Sequence, residues 1–295
     1  MPLESVTSGH PNIKTLVLET PKPPERAAIF DPTPIVNKQD LSFIKDDIEG
    51  LRNKEDPMEY SRLLYYLSAI KYINPEYFAT LETTKKLSSF NMTESLIALE
   101  RRDTSDWVGY AASLSLLYPD HPSRAFVKEE VGRYIPKAAE QFSQLMKESR
   151  PTYIPIALMG RSAIPLRVHS QPLVIDEQYY LSLLQRFADE KERDRKSDSP
   201  DHIADKASAI RILYPGKPVT DYLTTQDWQF MKEGFMKRIN DKKWFGQTSF
   251  IPFAFDLKIL AAEKVEFTDQ GMKLVMPKPK FEPPQATPIP GMRKF

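Results

Sequence analysis

An internal repeat constrains this chain more than any other feature of its sequence. The nine residues Ala207–Pro215 read Ala-Ser-Ala-Ile-Arg-Ile-Leu-Tyr-Pro, and Ala111–Pro119, 96 residues earlier, read Ala-Ala-Ser-Leu-Ser-Leu-Leu-Tyr-Pro. Weaker copies stand at Leu67–Pro75 and Phe253–Ala261. The spacing indicates one structural unit repeated with a period of roughly 47 residues. A unit of this length is typical of stacked helix pairs, so the repeat predicts an all-α architecture.

The copy that ends at Pro75 has the clearest helix pattern. Asp56 is a suitable N-cap, Pro57 suits the first helical position, and the helix should end before Asn74-Pro75. Its apolar stripe consists of Leu63, Leu64, Leu67 and Ile70. An earlier helix is predicted to begin at Asp40, with its stripe at Leu41, Ile44, Ile48 and Leu51.

The same pattern predicts the first helix of each later unit. These helices should run from about 104 to 118, from 199 to 214 and from Pro252 to about Ala262. Another should start at Pro155, and we expect Pro165 to interrupt it, because proline removes a helix hydrogen bond.

A second helix is predicted after each of these, introduced by one apolar residue and a polar cap. The apolar residues, separated by 46, 48, 48 and 44 positions, are Leu81, Val127, Ile175, Leu223 and Phe267. Thr224 and Asp227 match a capping box, and the helix that follows should bury Trp228, Met231, Phe235 and Ile239. Pro136 should break one of these second helices in two.

The two ends of the chain are richer in proline than its middle. Seven of the 26 prolines fall within residues 1–40 and six within 277–295. Proline-rich backbone favours an extended conformation, so we expect an N-terminal tail at 1–40, a helical repeat domain at 41–276 and a locally basic C-terminal tail at 277–295.

Composition also limits function. The 41 Lys and Arg nearly balance the 40 Asp and Glu, so no net field draws the protein to nucleic acid or anionic lipid. Cysteine is absent, which excludes disulfides and thiolate chemistry. The sequence has neither a leader pattern nor an apolar run long enough to span a membrane, so we expect a soluble, cytoplasmic protein.

The repeat resembles HEAT and armadillo repeats, whose period is about 40–47 residues, over residues 57–276. Leu257–Glu263 followed by Phe267–Gly271 is similar to segments of uncharacterised bacterial helical-repeat proteins. The resemblance implies an α-solenoid of about five helix pairs. It implies no activity.

No residue pattern predicts a catalytic, cofactor or metal site. The four histidines lack ligand spacing, and His121 lies in a turn whose counterpart in the repeat carries Lys217. Gly160-Arg161-Ser162 lacks the second glycine of a nucleophile elbow. A proline follows Gly216-Lys217, so this segment lacks an N–H donor that a phosphate-binding loop needs. The acidic pair Asp46-Asp47 fits a solvated helix face better than a metal site. Asn91-Met92-Thr93 matches a glycosylation acceptor only by chance.

Two groups of residues have more than one interpretation. Lys232–Lys243 combines basic residues with aromatics and could contact nucleic acid, although its aromatics fit a buried stripe and its lysines a helix C-terminus. The tyrosines at 65, 66, 72 and 77 could line a peptide groove or pack one repeat on the next, and we favour packing.

We therefore expect a non-catalytic scaffold that binds protein partners through its repeat surface, its tails or both, with no cofactor. Two alternatives remain open. A nucleic-acid-binding stack is one. The other is an enzyme built as an α/α toroid, which needs acidic residues that converge on a central pocket, although the repeat shows no Asp or Glu at equivalent inward positions.

Overall fold

The computed structural model describes residues 29–39, 41–42, 57–81, 106–118, 120, 124–147, 156–169, 173, 175–240 and 244–277, and most of them are helical. The α-helices are α1 (Thr33–Val36), α2 (Pro57–Ile73), α3 (Pro75–Thr80), α4 (Asp106–Leu117), α5 (Arg124–Lys147), α6 (Ile156–Val168), α7 (Glu177–Lys196), α8 (Pro200–Leu213), α9 (Thr225–Asn240) and α10 (Trp244–Ala261). A 3-10 turn at Val219–Asp221 and the strands β1 (Lys264–Thr268) and β2 (Gly271–Val275) complete the described elements.

Five of these helices form a closed inner ring. They are the predicted first helices of the repeats, α2, α4, α6, α8 and α10, and each packs against the next. The last of them, α10, also packs against α2. The sequence analysis predicted an elongated stack, and this contact between first and last units closes the stack on itself.

The repeat period reappears as the sequence separation of contacts between neighbouring units. Lys71 of α2 donates hydrogen bonds to the carbonyls of Leu116, Leu117 and Tyr118, which lie 45, 46 and 47 residues further along. Arg167 of α6 donates to the carbonyl of Leu213, 46 residues away. Because these bonds join the carboxyl ends of neighbouring inner helices, the inner helices run in the same direction.

The remaining long helices form an outer layer. Helix α5 packs against α4 and α6, α7 against α8, and α9 against α8 and α10. The predicted capping box starts α9: the Asp227 N–H donates to Thr224 Oγ1 at 3.2 Å, and the Thr224 N–H donates to Asp227 Oδ2 at 2.8 Å. Trp228, Met231 and Phe235 of the predicted stripe are buried.

Glycine at 160 permits the closest approach in the ring. A Cβ at this position of α6 would lie 2.5 Å from Cβ of Ala209 in α8, well inside van der Waals contact. The two backbones therefore pack directly on each other, and a larger residue at 160 would force them apart.

Prolines do not interrupt the helices as predicted. Helix α5 continues through Pro136, and α6 continues through Pro165 to Val168. Pro252, expected at a helix start, lies inside α10, which begins at Trp244. An internal proline costs a helix about 3 kcal/mol, and the packing of these long helices against two or more neighbours outweighs it.

The chain after α10 is a β-hairpin, where the sequence analysis placed the cap of another helix at Phe267–Gln270. Strands β1 and β2 pair antiparallel, with Thr268 opposite Gly271. Gly271 has a φ of +107°, which favours glycine. The hairpin packs against α4 and α6 near their carboxyl ends.

Residues 29–39 lie within the segment assigned to the N-terminal tail, and part of this segment is folded. It contains α1, whose Val36 is buried, and the ring of Phe30 packs edge-on against Phe235 with centroids 5.7 Å apart. Residues 1–28, most of the predicted helix from Asp40, and residues 278–295 lie outside the described residues. None of the described helices has both the length and the hydrophobicity required to cross a bilayer.

Candidate functional site

Two of the inner helices, α4 and α8, present the same four positions to the ring centre. In α8 these are Asp205, Ser208, Ala209 and Ile212, which follow the helical spacing i, i+3, i+4 and i+7. The 96-residue offset of the repeat maps them onto the residues of α4 that line the same space: Gly109, Ala112, Ser113 and Leu116. The repeat therefore defines both the helices and the surface that faces inward.

Most of these inward positions are apolar or small, but three polar side chains meet there. Asp205 comes from α8, Arg161 from α6 and Asp256 from α10. Arg161 binds the Asp205 carboxylate at 3.3 Å and lies 5.5 Å from the centre of the Tyr65 ring. The two acidic residues occupy different positions of the unit, which is why no acidic residues were found at equivalent positions of the repeat.

Asp256 is the most enclosed of the three. Its residue is 5% exposed, and Oδ1 accepts a hydrogen bond of 2.6 Å from the Ser208 hydroxyl. Burial, reinforced by the nearby negative charge of Asp205, raises the pKa of Asp256 well above its usual value. Burial likewise raises the pKa of the Tyr65 hydroxyl. The centre therefore favours neutral forms of the groups that have no ionic partner.

The space enclosed by these residues is small. The cavity has a volume of about 30 Å³, which admits roughly two water molecules. All five inner helices contribute to its wall, which combines small and apolar residues with the polar side chains of Tyr65, Ser113, Arg161, Asp205, Ser208 and Asp256. An organic substrate does not fit in a space of this size.

A larger groove lies at the carboxyl end of the ring, with a volume of about 840 Å³. One wall is the loop at 215–220, and the other comprises the end of α10 and the first residues of β1. Both ends of the described chain border it, because Ile29 and Pro277 line the groove. Ile29 is 51% exposed, which is unusual for a large apolar residue here.

Arg211 holds the two walls of this groove together. The residue is buried, and its guanidinium donates to the carbonyls of Lys217 in the loop and of Ala262 and Glu263 after α10. Carbonyls at helix ends lack intrahelical partners, so a cation at this position both satisfies them and fixes the geometry. The repeat places Arg211 at the position that Ser115 occupies in α4.

A second buried aspartate forms an ion network in the outer layer. Asp227, with no exposed surface, accepts from Lys191 at 2.8 Å and from Arg195 at 2.6 Å. Burial alone would raise its pKa, but the bonds from Lys191 and Thr224 hold the pKa of Asp227 below its usual value. Sequence reasoning identified Asp227 as a cap and missed the two cations, which come from α7.

The candidates weighed in the sequence do not form a catalytic arrangement in the described structure. Ser162 is buried and donates to the carbonyl of Leu158 within its own helix. Lys217 pairs with Glu177 at 2.7 Å. Among the described residues no group of three or more metal-ligating side chains comes together. Asp46, Asp47, Asn91 and His121 lie outside the described residues.

The residues considered for nucleic-acid or peptide binding are used in packing where the structure describes them. In the basic stretch, Lys232 lies over the ring of Phe30 and Lys237 pairs with Asp198 at 3.1 Å. The Tyr72 hydroxyl donates to the carbonyl of Met272 and so ties α2 to the hairpin. The Tyr77 hydroxyl donates to the carbonyl of Leu41.

Comparison of the chain with known protein families, with curated proteins and with solved structures finds no match.

Proposed function

We propose that this protein is a non-catalytic binding protein that docks an extended segment of a protein partner in the groove at the carboxyl end of its helical ring. The groove of about 840 Å³ carries this proposal, because its volume is in the range of binding clefts, whereas the cavity at the ring centre holds about two waters. The helix-pair repeat serves as a rigid frame for this surface.

The chemistry of the groove favours a peptide segment. Its walls offer backbone and small or apolar side chains, and besides the buried Arg211 its charged residues are Glu263 and Lys264, which oppose each other in sign. Strand β1 belongs to a sheet of two strands, so it has an outer edge, and extended segments bind other proteins by adding to such an edge. The near balance of charge argues against nucleic acid as the partner.

An α/α-toroid enzyme is the second candidate. The closed ring and the acidic residues at its centre favour it, and the size of the cavity argues against it. The absence of cysteine fits a reducing, cytoplasmic setting for either function.

Site-specific photo-crosslinking tests the proposal. A photoreactive side chain is placed at Gly216 in the groove or at Gly132 on α5, since added atoms meet no neighbour within 4 Å at either position. We expect a discrete protein adduct from position 216 in the native cell and none from 132. Thr220→Arg, which fills the exposed edge of the groove, should abolish the adduct.

Two crosslinking results would contradict the proposal. Equal adducts from both positions, or an adduct from 216 that persists with Thr220→Arg, would remove the groove from the proposal. Retention of the protein on heparin at low salt, and its loss as salt rises, would favour nucleic acid instead.

A further inference from the structure

We infer that the cavity at the centre of the helical ring binds one monovalent cation, held by Asp256 with the hydroxyl of Tyr65. This site is separate from the groove and does not depend on the proposed function. The inference rests on three observations about the described residues: charge pairing, an oxygen without a partner, and the size of the cavity.

Asp256 lacks the ion-pair partner that the neighbouring aspartates have among the described residues. Three aspartates influence one another around the ring centre: Asp201, Asp205 and Asp256. Asp201 has its own cation, Arg238, at 2.6 Å, and Asp205 has Arg161 at 3.3 Å. Asp256 has no ion pair with a described residue. It is also the most deeply buried of the three, and Arg161, the arginine that attracts its charged form, is already paired with Asp205, so burial outweighs this attraction.

The second carboxylate oxygen of Asp256 is available to a ligand. Ser208 donates to Oδ1, and among the described residues no donor reaches Oδ2. Asp256 lines the cavity, as does Tyr65, whose hydroxyl makes no hydrogen bond to a described residue. Two residues that each have an oxygen without a described partner therefore line the same space, and oxygen is the ligand type that hard cations prefer.

The volume of the cavity limits the size of the ligand, and the number of carboxylates without an ion-pair partner limits its charge. A volume of about 30 Å³ accommodates a single ion with one water and excludes organic cations such as an arginine side chain. One uncompensated carboxylate matches a single positive charge. No group of three or more metal-ligating side chains surrounds the space among the described residues, and divalent cations commonly require such a group. Sodium, potassium and ammonium share the required chemistry.

Thermal unfolding in different chloride salts tests the inference. The full chain is heated in choline, sodium, potassium or ammonium chloride at one ionic strength and at pH 8. Choline is too large for the cavity and serves as the reference. We expect at least one of the three small cations to raise Tm by about 3 °C or more, because a ligand that binds only the folded state stabilises it.

Three variants test whether the salt-dependent rise in Tm depends on the proposed ligands. Asp256→Asn should abolish the difference between the salts, and Tyr65→Phe should reduce it. Asp198→Asn, at an exposed carboxylate, should retain the full difference. Equilibrium dialysis with radioactive rubidium, a potassium analogue, should find one ion bound per wild-type chain and none per Asp256→Asn chain if potassium is the ion.

Two results would overturn the inference. One is the same Tm in all four salts. The other is a salt-specific rise that Asp256→Asn retains in full. A rise with ammonium alone would assign the site to an ion that donates hydrogen bonds, and a rise with sodium or potassium would assign it to direct coordination.

Discussion

Two buried aspartates in this protein have opposite surroundings. Asp227 in the outer layer accepts from Lys191, Arg195 and Thr224, and its pKa is lowered. Among the described residues, Ser208 is the one that donates to Asp256 at the ring centre, and the pKa of Asp256 is raised. Burial is similar at the two positions, with exposures of 0% and 5%. Burial raises the pKa at both positions, and the partners decide whether this effect is overcome, as at Asp227, or prevails, as at Asp256.

The largest expected effect lies in the outer network. Asp227→Ala leaves Lys191 and Arg195 without their buried partner, and it also removes the cap of α9. We expect the free energy of unfolding to fall by about 3–5 kcal/mol, measured by urea denaturation. The control is Glu129→Ala, which breaks an exposed pair with Arg133 and should cost less than about 0.5 kcal/mol. Equal costs for the two variants would show that the Asp227 network is not structural.

A smaller effect is expected from packing in the inner ring. Gly160→Ala forces a methyl group against Ala209, 2.5 Å away, and should destabilise the protein by about 1–3 kcal/mol. Gly132→Ala on α5 meets no atom within 4 Å and should stabilise the protein by about 0.5–1 kcal/mol, because alanine is the better helix former. The same denaturation measurement applies to both. Stabilisation by Gly160→Ala would mean that α6 and α8 are not in direct backbone contact.

A pH-dependent effect distinguishes the two aspartates. In the unfolded chain an aspartate titrates near a pKa of about 3.9. The pKa of Asp256 is higher when folded, so above about pH 4 the unfolded state holds fewer protons at this group, and its contribution to stability falls as pH rises, by at most about 1.4 kcal/mol per pH unit.

Asp256→Asn should therefore gain stability relative to wild type between pH 5 and pH 8, measured in choline chloride so that no small cation is present. The contribution of Asp227 to stability changes with pH in the opposite direction. Its pKa is lowered when folded, so its contribution is present at neutral pH and is lost as pH falls through the folded value. A wild-type-minus-variant difference for Asp256 that does not change with pH would show that this carboxyl group is not protonated in the fold.

The repeat made much of the helical layer predictable. The start of α2 at Pro57 and its end before Asn74-Pro75 follow from capping and proline rules, and both are observed. The bounds of α8 and the capping box at Thr224 were also correct. Predictions based on proline inside a helix were wrong, because local propensity does not include the packing that supports α5, α6 and α10.

The hairpin was missed although the sequence contains a signal for it. Val265 and Phe267 alternate with polar residues, and a glycine follows the turn at 271. The repeat suggested a helix cap at this point, and the periodic alignment outweighed the local pattern. The hairpin occupies the carboxyl end of the ring, where Tyr72 bonds to it, so its place in the fold depends on contacts about 200 residues apart in sequence.

The sequence by itself determined the helical unit and its period, because these depend on residues within a few turns of one another. Ring closure was decided only by the tertiary structure, since it depends on the rotation between successive units and is complete only when α10 meets α2. The tertiary structure also brings Arg161, Asp205 and Asp256 together from three helices. No spacing within one unit could reveal that meeting, because the three residues belong to three different copies of the repeat.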